Sequence, residues 1–189
     1  LFRISFSGEL AYEIAVPSRY GNSMFKVLMD SGSEFNVVAY GTEALGVMRI
    51  EKGHAAGNEL NGQITAQNLG LEKMMSKKKD FVGNVLSRRS ELNKESIVKL
   101  VGFKPVNKEI ELKAGAHFIS LGKEACTKND EGWMSSVAFS PSLNHSIGLG
   151  FIKNGNNRIG EIVNAVDPLR KSNVEVEIVS PHFLDPEGE

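Results

Sequence analysis

The chain has 189 residues, of which 22 are Lys or Arg and 23 are Asp or Glu, so its formal net charge at pH 7 is −1. Hydrophobic residues make up 41% and charged residues 24%, which is ordinary for a globular protein with one large core or two small ones. The balanced charge argues against a general nucleic-acid binder, and the apolar runs are far shorter than the roughly 20 residues of a membrane-spanning helix.

Two short alternating runs at the start of the chain predict a β-hairpin. Residues 3–6 and 12–16 alternate between polar and apolar types and flank the turn signal Ser7-Gly8. Ser18 is a suitable N-cap for a following helix that should end at Gly32. The chain begins in the middle of a strand pattern, without Met and without a basic-then-apolar leader. We therefore interpret it as part of a larger protein.

The next stretch predicts one strand and two helices separated by loops. Residues 35–39 have the composition of a short strand. A helix should begin at Thr42 and end at Lys52-Gly53, a cation and a glycine of the kind that helix C-termini favour. Residues 54–71 are rich in Gly, Asn and Gln and predict loops. Asp80, after three lysines, is a good N-cap for a short amphipathic helix.

A polar stretch at residues 87–95 is the best candidate for a domain boundary. Beyond it, six segments look like strands and are separated by Gly, Asn and Pro turns, which is typical of a small barrel or sandwich. These predicted strands are residues 96–103, 117–121, 134–139, 147–152, 161–166 and 174–179. From its residues alone, the sequence predicts an α+β protein of two parts.

Motifs that would reveal a chemistry are incomplete. Gly148-Leu149-Gly150 begins like a dinucleotide-binding motif, but Lys153 occupies the third glycine position, and Gly41 and Gly46 lack the Lys-Ser/Thr of a phosphate-binding loop. The four histidines have no ligand spacing, so we expect no metal site. Cys126 is the one cysteine, which excludes an internal disulfide. A single thiol suits a reducing compartment, and we expect a cytoplasmic protein.

Several segments together resemble the aminomethyltransferase (T-protein) family of folate enzymes. They are Phe6-Ser7-Gly8-Glu9, Tyr12-Glu13-Ile14, Tyr40-Gly41-Thr42-Glu43, Arg49-Ile50-Glu51-Lys52-Gly53, Lys77-Lys78-Lys79-Asp80-Phe81-Val82-Gly83, Ser140-Pro141-Ser142-Leu143 and Asp185-Pro186-Glu187-Gly188. The triple-lysine segment and the ending are most similar to one branch, the C-terminal region of the α subunits of heterotetrameric sarcosine oxidases. The order and spacing of these segments make the resemblance specific over nearly the whole chain.

This resemblance implies a fold and a reaction. Residues 1–95 would form the second half of a T-protein-like folate-binding domain, and residues 96–189 a small C-terminal β-barrel. Tetrahydrofolate would accept the one-carbon unit released by oxidative demethylation of sarcosine and become 5,10-methylenetetrahydrofolate. FAD, FMN and NAD are expected only in other parts of the complete enzyme, and the expected partners are the other sarcosine oxidase subunits.

The resemblance also assigns three candidate folate contacts. Glu13 matches a glutamate that pairs with the pterin, whose two parallel N–H donors one carboxylate can accept together. Phe6 matches a tyrosine near the folate ring and keeps its stacking face without the hydroxyl. His54 stands where the family often has a tyrosine and could hydrogen-bond the folate. The alternatives are a solvated strand carboxylate, a core aromatic residue and a loop histidine.

Other positions matching the family carry further expectations. The family's catalytic aspartate lies upstream of residue 1, so no catalytic residue is assigned here and the isolated chain should be inactive. Leu45 stands where glycine-cleavage T-proteins carry a folate-contacting arginine, which argues against a true T-protein. Arg49 and Glu51 are expected to be structural, and the three lysines at residues 77–79 a solvated charge run.

Alternatives to the sarcosine oxidase branch stay open. They are the T-protein of glycine cleavage, a related folate-dependent demethylase, a non-catalytic folate-binding homologue and a purely structural fragment. Because the opening strand would lack a partner and half a core would be exposed, we also expect the chain to self-associate.

Overall fold

The computed structural model describes residues 1–187. Gly188 and Glu189, the end of the predicted barrel domain and of the resembling C-terminal segment, lie outside the described residues. Turns and helices dominate up to about residue 97, and a six-stranded barrel follows.

Three helices lie in the first part: α1 (Gly21–Gly32), α2 (Thr42–Glu51) and α3 (Asn84–Ser87). As predicted, α1 ends at Gly32, and α2 begins at Thr42 and gives way to Lys52-Gly53. No residue of α1 is buried, whereas Arg49, Ile50 and Glu51 at the end of α2 are. The end of α2 therefore joins the first part to the barrel. Among residues 1–187, no helix has both the length and the apolarity needed to cross a membrane.

The predicted hairpin at the start of the chain is wrong. One isolated antiparallel bridge joins Phe2 to Glu13 through two backbone hydrogen bonds of 2.8 Å, and the residues between them form bends and turns. Gly8, at the turn of the predicted hairpin, packs instead on the side chain of Lys52. Alternation of residue types predicts which face a side chain takes, but a strand also needs a backbone partner along its length.

Three further local predictions need correction. The predicted strand at residues 35–39 is absent because the 3-10 turn Ser33–Phe35 is followed by Asn36 in the left-handed conformation. Ser18 lies inside a 3-10 turn and does not cap α1. Helix α3 begins at Asn84, later than predicted, and the Asp80 carboxylate accepts bonds from the Phe81 N–H and the Asn84 side chain at 3.0 and 2.9 Å.

Six antiparallel strands within the described range form a closed barrel in the order β1-β4-β3-β2-β5-β6. They are β1 (Val98–Pro105), β2 (His117–Ser120), β3 (Asp130–Ser140), β4 (His145–Lys153), β5 (Ile162–Asp167) and β6 (Ser172–Val179). Each coincides with a predicted strand, with ends that differ by a few residues. The predicted α+β fold with a C-terminal barrel is therefore confirmed.

The main hydrophobic core fills the interior of this barrel. Phe103 of β1 and Phe118 of β2 stack with ring centroids 4.0 Å apart, and both are fully buried together with Met134 and Val176. Burial alternates along β6, as expected of a strand with one inward face. Because the barrel is closed, its strands leave no unpaired edge.

A second apolar cluster joins α2 to the outside of the barrel. Ile50 of α2 belongs to the same buried cluster as Leu149 and Phe151 of β4. Phe183, near the C-terminus, packs against this cluster, and the N–H groups of Phe183 and Leu184 donate to the Glu51 carbonyl at 2.8 and 3.1 Å. The end of α2 is thus enclosed by the barrel on one side and the C-terminal segment on the other.

Candidate functional site at the end of α2

A buried ion pair lies where α2 meets β3. Arg49 Nη1 is 2.9 Å from Glu59 Oε2, and the Glu59 side chain is fully buried. Arg49 Nη2 donates to Ser136 Oγ at 2.7 Å. Ser135 Oγ and Ser136 Oγ donate to Glu59 Oε1 at 2.5 and 2.7 Å, and the Ala56 N–H donates to Glu59 Oε2 at 3.0 Å. Both carboxylate oxygens of Glu59 are therefore satisfied, as a buried charge requires.

The electrostatic surroundings keep Glu59 ionised. Burial by itself raises the pKa of this carboxyl, but the hydroxyls of Ser135 and Ser136, the Ala56 N–H and the Arg49 guanidinium outweigh it. The pKa of Glu59 consequently lies below the ordinary value of a glutamate. No sequence pattern singles out Glu59, because it stands in a segment predicted to form loops and its serine partners lie on a distant strand.

Glu51, on the last turn of α2, is tied to the barrel in a similar way. Ser140 Oγ donates to Glu51 Oε1 at 2.5 Å, and both groups are buried. Arg49 is therefore bonded to Glu59 and Ser136, and Glu51 to Ser140, in keeping with the structural role expected of both residues. The three lysines at residues 77–79 are exposed, as expected of a solvated charge run.

The structure brings two of the three predicted folate contacts together. The rings of Phe6 and His54 meet edge to face, with centroids 5.3 Å apart and an interplanar angle of 60°. Both residues are exposed. The N–H of His54 donates to the Arg49 carbonyl at 2.8 Å, and the carbonyl of His54 accepts from Arg49 Nη1 at 3.3 Å. Arg49 therefore links the backbone of His54 to the buried ion pair.

Glu13, the third candidate, lies outside this aromatic contact. Its backbone pairs with Phe2, and its side chain is exposed to solvent. A carboxylate in this position is accessible to a ligand, but its predicted role in binding the pterin stays a prediction. Among the described residues, no cluster of His, Cys, Asp and Glu has the arrangement of a metal site.

Space for a ligand flanks α2. A groove of about 460 Å³ between α2 and β3 is lined by Val47, Ile50, Arg49, Asn58 and Phe139, among others. This volume falls in the ordinary range for a small-molecule site. The Arg49 guanidinium at its floor is already bonded to Glu59 and Ser136.

Comparison with known proteins assigns the family. The model of the GCVT N-terminal domain matches residues 1–79, and that of the glycine cleavage T-protein C-terminal barrel domain matches residues 99–185. The chain belongs to the glycine cleavage T-protein family. A crystal structure of the glycine cleavage system aminomethyltransferase T from Bartonella henselae has this fold, with a TM-score of 0.78 at 22% identity over 96% of this chain and 48% of that chain.

Within this T-protein family, the sarcosine oxidase resemblance is confirmed. The chain is 42% identical over 190 residues to the sarcosine oxidase subunit alpha of Rhizobium meliloti (strain 1021), covering 100% of this chain and 19% of that protein. It is 31% identical over 189 residues to the aminomethyltransferase of Desulfitobacterium hafniense (strain Y51), covering 98% of this chain and 49% of that protein. The chain thus spans about a fifth of the sarcosine oxidase subunits and about half of the aminomethyltransferases that it matches.

Proposed function

We propose that this chain is the folate-binding region of a sarcosine oxidase of the multi-subunit type. Its tetrahydrofolate would accept the one-carbon unit from oxidative demethylation of sarcosine and become 5,10-methylenetetrahydrofolate. The observation that carries this proposal is the 42% identity to a sarcosine oxidase α subunit over the whole chain, against 31% for an aminomethyltransferase. The proposal places the protein in the cytoplasm with other sarcosine oxidase subunits as partners.

The residues near α2 fit a reduced folate. Phe6 offers an aromatic surface, and the imidazole of His54 beside it can donate or accept a hydrogen bond. The Ser5 hydroxyl, next to Phe6 in sequence, is buried and has no hydrogen-bond partner among residues 1–187. A buried polar group without a partner is costly, so a polar ligand that reaches it would be stabilising. The exposed carboxylate of Glu13 can accept the two parallel N–H donors of a pterin.

Bound tetrahydrofolate supplies the nucleophilic nitrogens that capture the one-carbon unit. The chain's own residues would hold the pterin: Glu13 by charge-assisted hydrogen bonds, Phe6 by stacking and His54 by a hydrogen bond. None of these three residues needs to transfer a proton for binding. In accordance with the family's upstream aspartate, we propose that the isolated chain has no turnover with sarcosine.

A glycine-cleavage aminomethyltransferase is the second candidate. It is supported by both matching domain models, which describe the glycine cleavage T-protein, and by the 31% identity to an aminomethyltransferase over 98% of this chain. Leu45 counts against it, since a leucine cannot replace the folate-contacting arginine that the resemblance places there. Sarcosine-dependent formation of methylenetetrahydrofolate by the complete protein would decide between the two.

Glu13→Gln in the complete protein tests the folate proposal. The substitution replaces one acceptor by a donor, so one pterin N–H faces a donor, and an unpaired contact of this kind costs about 1–3 kcal/mol. The affinity for 5-formyltetrahydrofolate, a stable reduced folate, should therefore fall by roughly tenfold to a few hundredfold in a calorimetric titration.

The matched control for this test is Glu34→Gln, which changes another exposed carboxylate of the first part. Its affinity for the folate should equal that of the unmodified complete protein. Failure of the unmodified complete protein to bind the folate would overturn the proposed function. Unchanged binding by Glu13→Gln would reduce Glu13 to a solvated carboxylate.

A further inference from the structure

Three segments that are distant in sequence meet at the side chain of Lys52. Its Nζ lies 2.9 Å from Glu9 Oε1 in the N-terminal loop and 2.7 Å from Asp185 Oδ2 in the C-terminal segment. The side chain of Lys52 is only 12% exposed, although it lies at the protein surface. One ammonium group thus links the loop before α1, the end of α2 and the C-terminal segment.

The backbone of both neighbouring segments packs closely around Lys52. A Cβ added to Gly8, whose φ is +88°, would lie 2.4 Å from Lys52 Cγ, so the loop rests directly on the lysine stem. On the other side, His182 Nδ1 is 2.8 Å from the Lys52 carbonyl oxygen. A Cβ added to Gly53, with φ of +71°, would lie 2.4 Å from the Pro181 carbonyl oxygen. Both approaches favour glycine, and they bring the N-terminal loop onto the Lys52 stem and Pro181 onto Gly53, the residue after Lys52.

This arrangement involves residues close in sequence to both rings of the aromatic contact. Phe6 precedes Gly8 in the loop that rests on Lys52, and His54 follows Lys52 after Gly53. The relative position of the two rings therefore depends on how firmly the loop is held to the end of α2. The Phe2–Glu13 bridge also holds this loop, and both of its residues are farther from Phe6 along the chain than Gly8 is.

We propose that Lys52 is a positioning residue that holds Phe6 against His54 for recognition of a reduced pterin. It acts through the loop and the helix end and does not itself contact the ligand. This inference rests on the proposed function, because it assigns a role to Lys52 in the same folate site. It also gives the C-terminal segment a role there, since Asp185 shares the ammonium with Glu9.

Lys52→Met tests this role because methionine keeps most of the stem and removes the ammonium. We expect the affinity for 5-formyltetrahydrofolate to fall about tenfold, which corresponds to about 1.4 kcal/mol. The matched control is Lys99→Met on β1. Lys99 Nζ also donates two hydrogen bonds, to Glu72 Oε1 at 2.7 Å and to the Gln67 carbonyl at 2.6 Å, and neither partner belongs to the aromatic contact. Its substitution should leave the affinity unchanged.

A readout without ligand separates positioning from general destabilisation. Because the two rings meet at 5.3 Å, the Phe6 ring should shift the NMR signals of the His54 imidazole, and we expect Phe6→Ala to abolish this shift. In Lys52→Met, the His54 signals should move towards those of Phe6→Ala, whereas Lys99→Met should leave them in place. Glu9→Gln, which removes one of the two carboxylates from Lys52, should move them in the same direction by a smaller amount and provides a second, milder variant.

A double-mutant cycle completes the test. If Lys52 acts through the aromatic contact, Lys52→Met should weaken folate binding much less in the Phe6→Ala background than alone. Lys52→Arg should restore both the His54 signals and the affinity in part. Unchanged His54 signals in Lys52→Met would overturn the positioning role, whatever happens to folate. Absence of folate binding by the unmodified complete protein would instead overturn the proposed function.

Discussion

The barrel buries most of its phenylalanine rings, whereas the first part of the chain leaves most of its own exposed to solvent. In the barrel, Phe103, Phe118 and Phe151 are fully buried. In the first part, Phe25 of α1 is 57% exposed, and Phe35 in the turn after it is 77% exposed. A closed barrel encloses its own interior, whereas a lone helix has nothing opposite its apolar face. The barrel therefore buries its own core, and the first part presents an apolar surface that favours association. The predicted self-association of the chain stays a prediction.

Truncating one phenylalanine in each region should give the largest difference. Phe118→Ala removes a ring that stacks on Phe103 in the barrel core, and the free energy of unfolding should fall by about 3–5 kcal/mol. Phe25→Ala removes an exposed ring and should change it by less than about 0.5 kcal/mol. Urea unfolding followed by the fluorescence of Trp133, the one tryptophan, measures both because Trp133 packs near Phe151 in the barrel wall. A similar loss of unfolding free energy in both variants would contradict the inferred difference in packing between the two regions.

The free energy of unfolding should be nearly as sensitive to loss of the buried Arg49–Glu59 ion pair, which joins the two regions. Glu59→Gln leaves the buried Arg49 guanidinium without its carboxylate, and at neutral pH the chain should lose about 3 kcal/mol of stability. In the folded chain, the pKa of Glu59 lies below its ordinary value, so the ionised carboxylate contributes stability at neutral pH. That contribution is lost as the pH falls from the ordinary value of 4.5 through the lower folded pKa. The difference between the unmodified chain and Glu59→Gln should therefore narrow under acidic conditions.

Urea titrations between neutral and acidic pH measure this narrowing. Glu161→Gln is the control, because Arg158 also lowers the pKa of Glu161, but its side chain is 43% exposed. Its effect on stability should be much smaller at every pH, since solvent screens an exposed pair. A constant gap between Glu59→Gln and the unmodified chain down to acidic pH would contradict an ionised Glu59.

The sequence predicted the barrel better than the first part for a physical reason. Each barrel strand carries its own signals, alternation and flanking turns, and finds partners on both sides. The first-part runs carry the same alternation, but the Phe2–Glu13 bridge is all that forms. Local patterns cannot show whether a partner exists.

In the candidate site too, local sequence signals predicted some features, whereas others depend on contacts between distant segments. The ends of α2, and with them the positions of Arg49 and His54, followed from helix start and stop signals. The contact of His54 with Phe6 and the pairing of Glu59 with Ser135 and Ser136 depend on how distant segments pack. No spacing in the sequence encodes such contacts, so the family resemblance was needed to place Phe6 and His54 in one site.

The smallest expected effect comes from two asparagines with the same backbone conformation. Asn36 in the first part and Asn144 in the turn between β3 and β4 both have φ of 56°. An alanine in this left-handed region costs about 1 kcal/mol more than an asparagine. Asn144→Ala should therefore lower the stability of the barrel by about that amount in the Trp133-monitored titration. The local cost at Asn36 reaches that transition only if both regions unfold together.

Asn36→Ala is expected to leave the Trp133 transition unchanged, because no residue of α1 or of the turn that follows it is buried. Its cost should appear instead as faster amide hydrogen exchange around residues 33–38, with the barrel amides unaffected. An equal shift of the Trp133 transition in both variants would mean that the buried joint at Arg49 and Glu59 couples the two regions into one cooperative unit. The two regions would then unfold together, although they differ in how much of their apolar surface is buried.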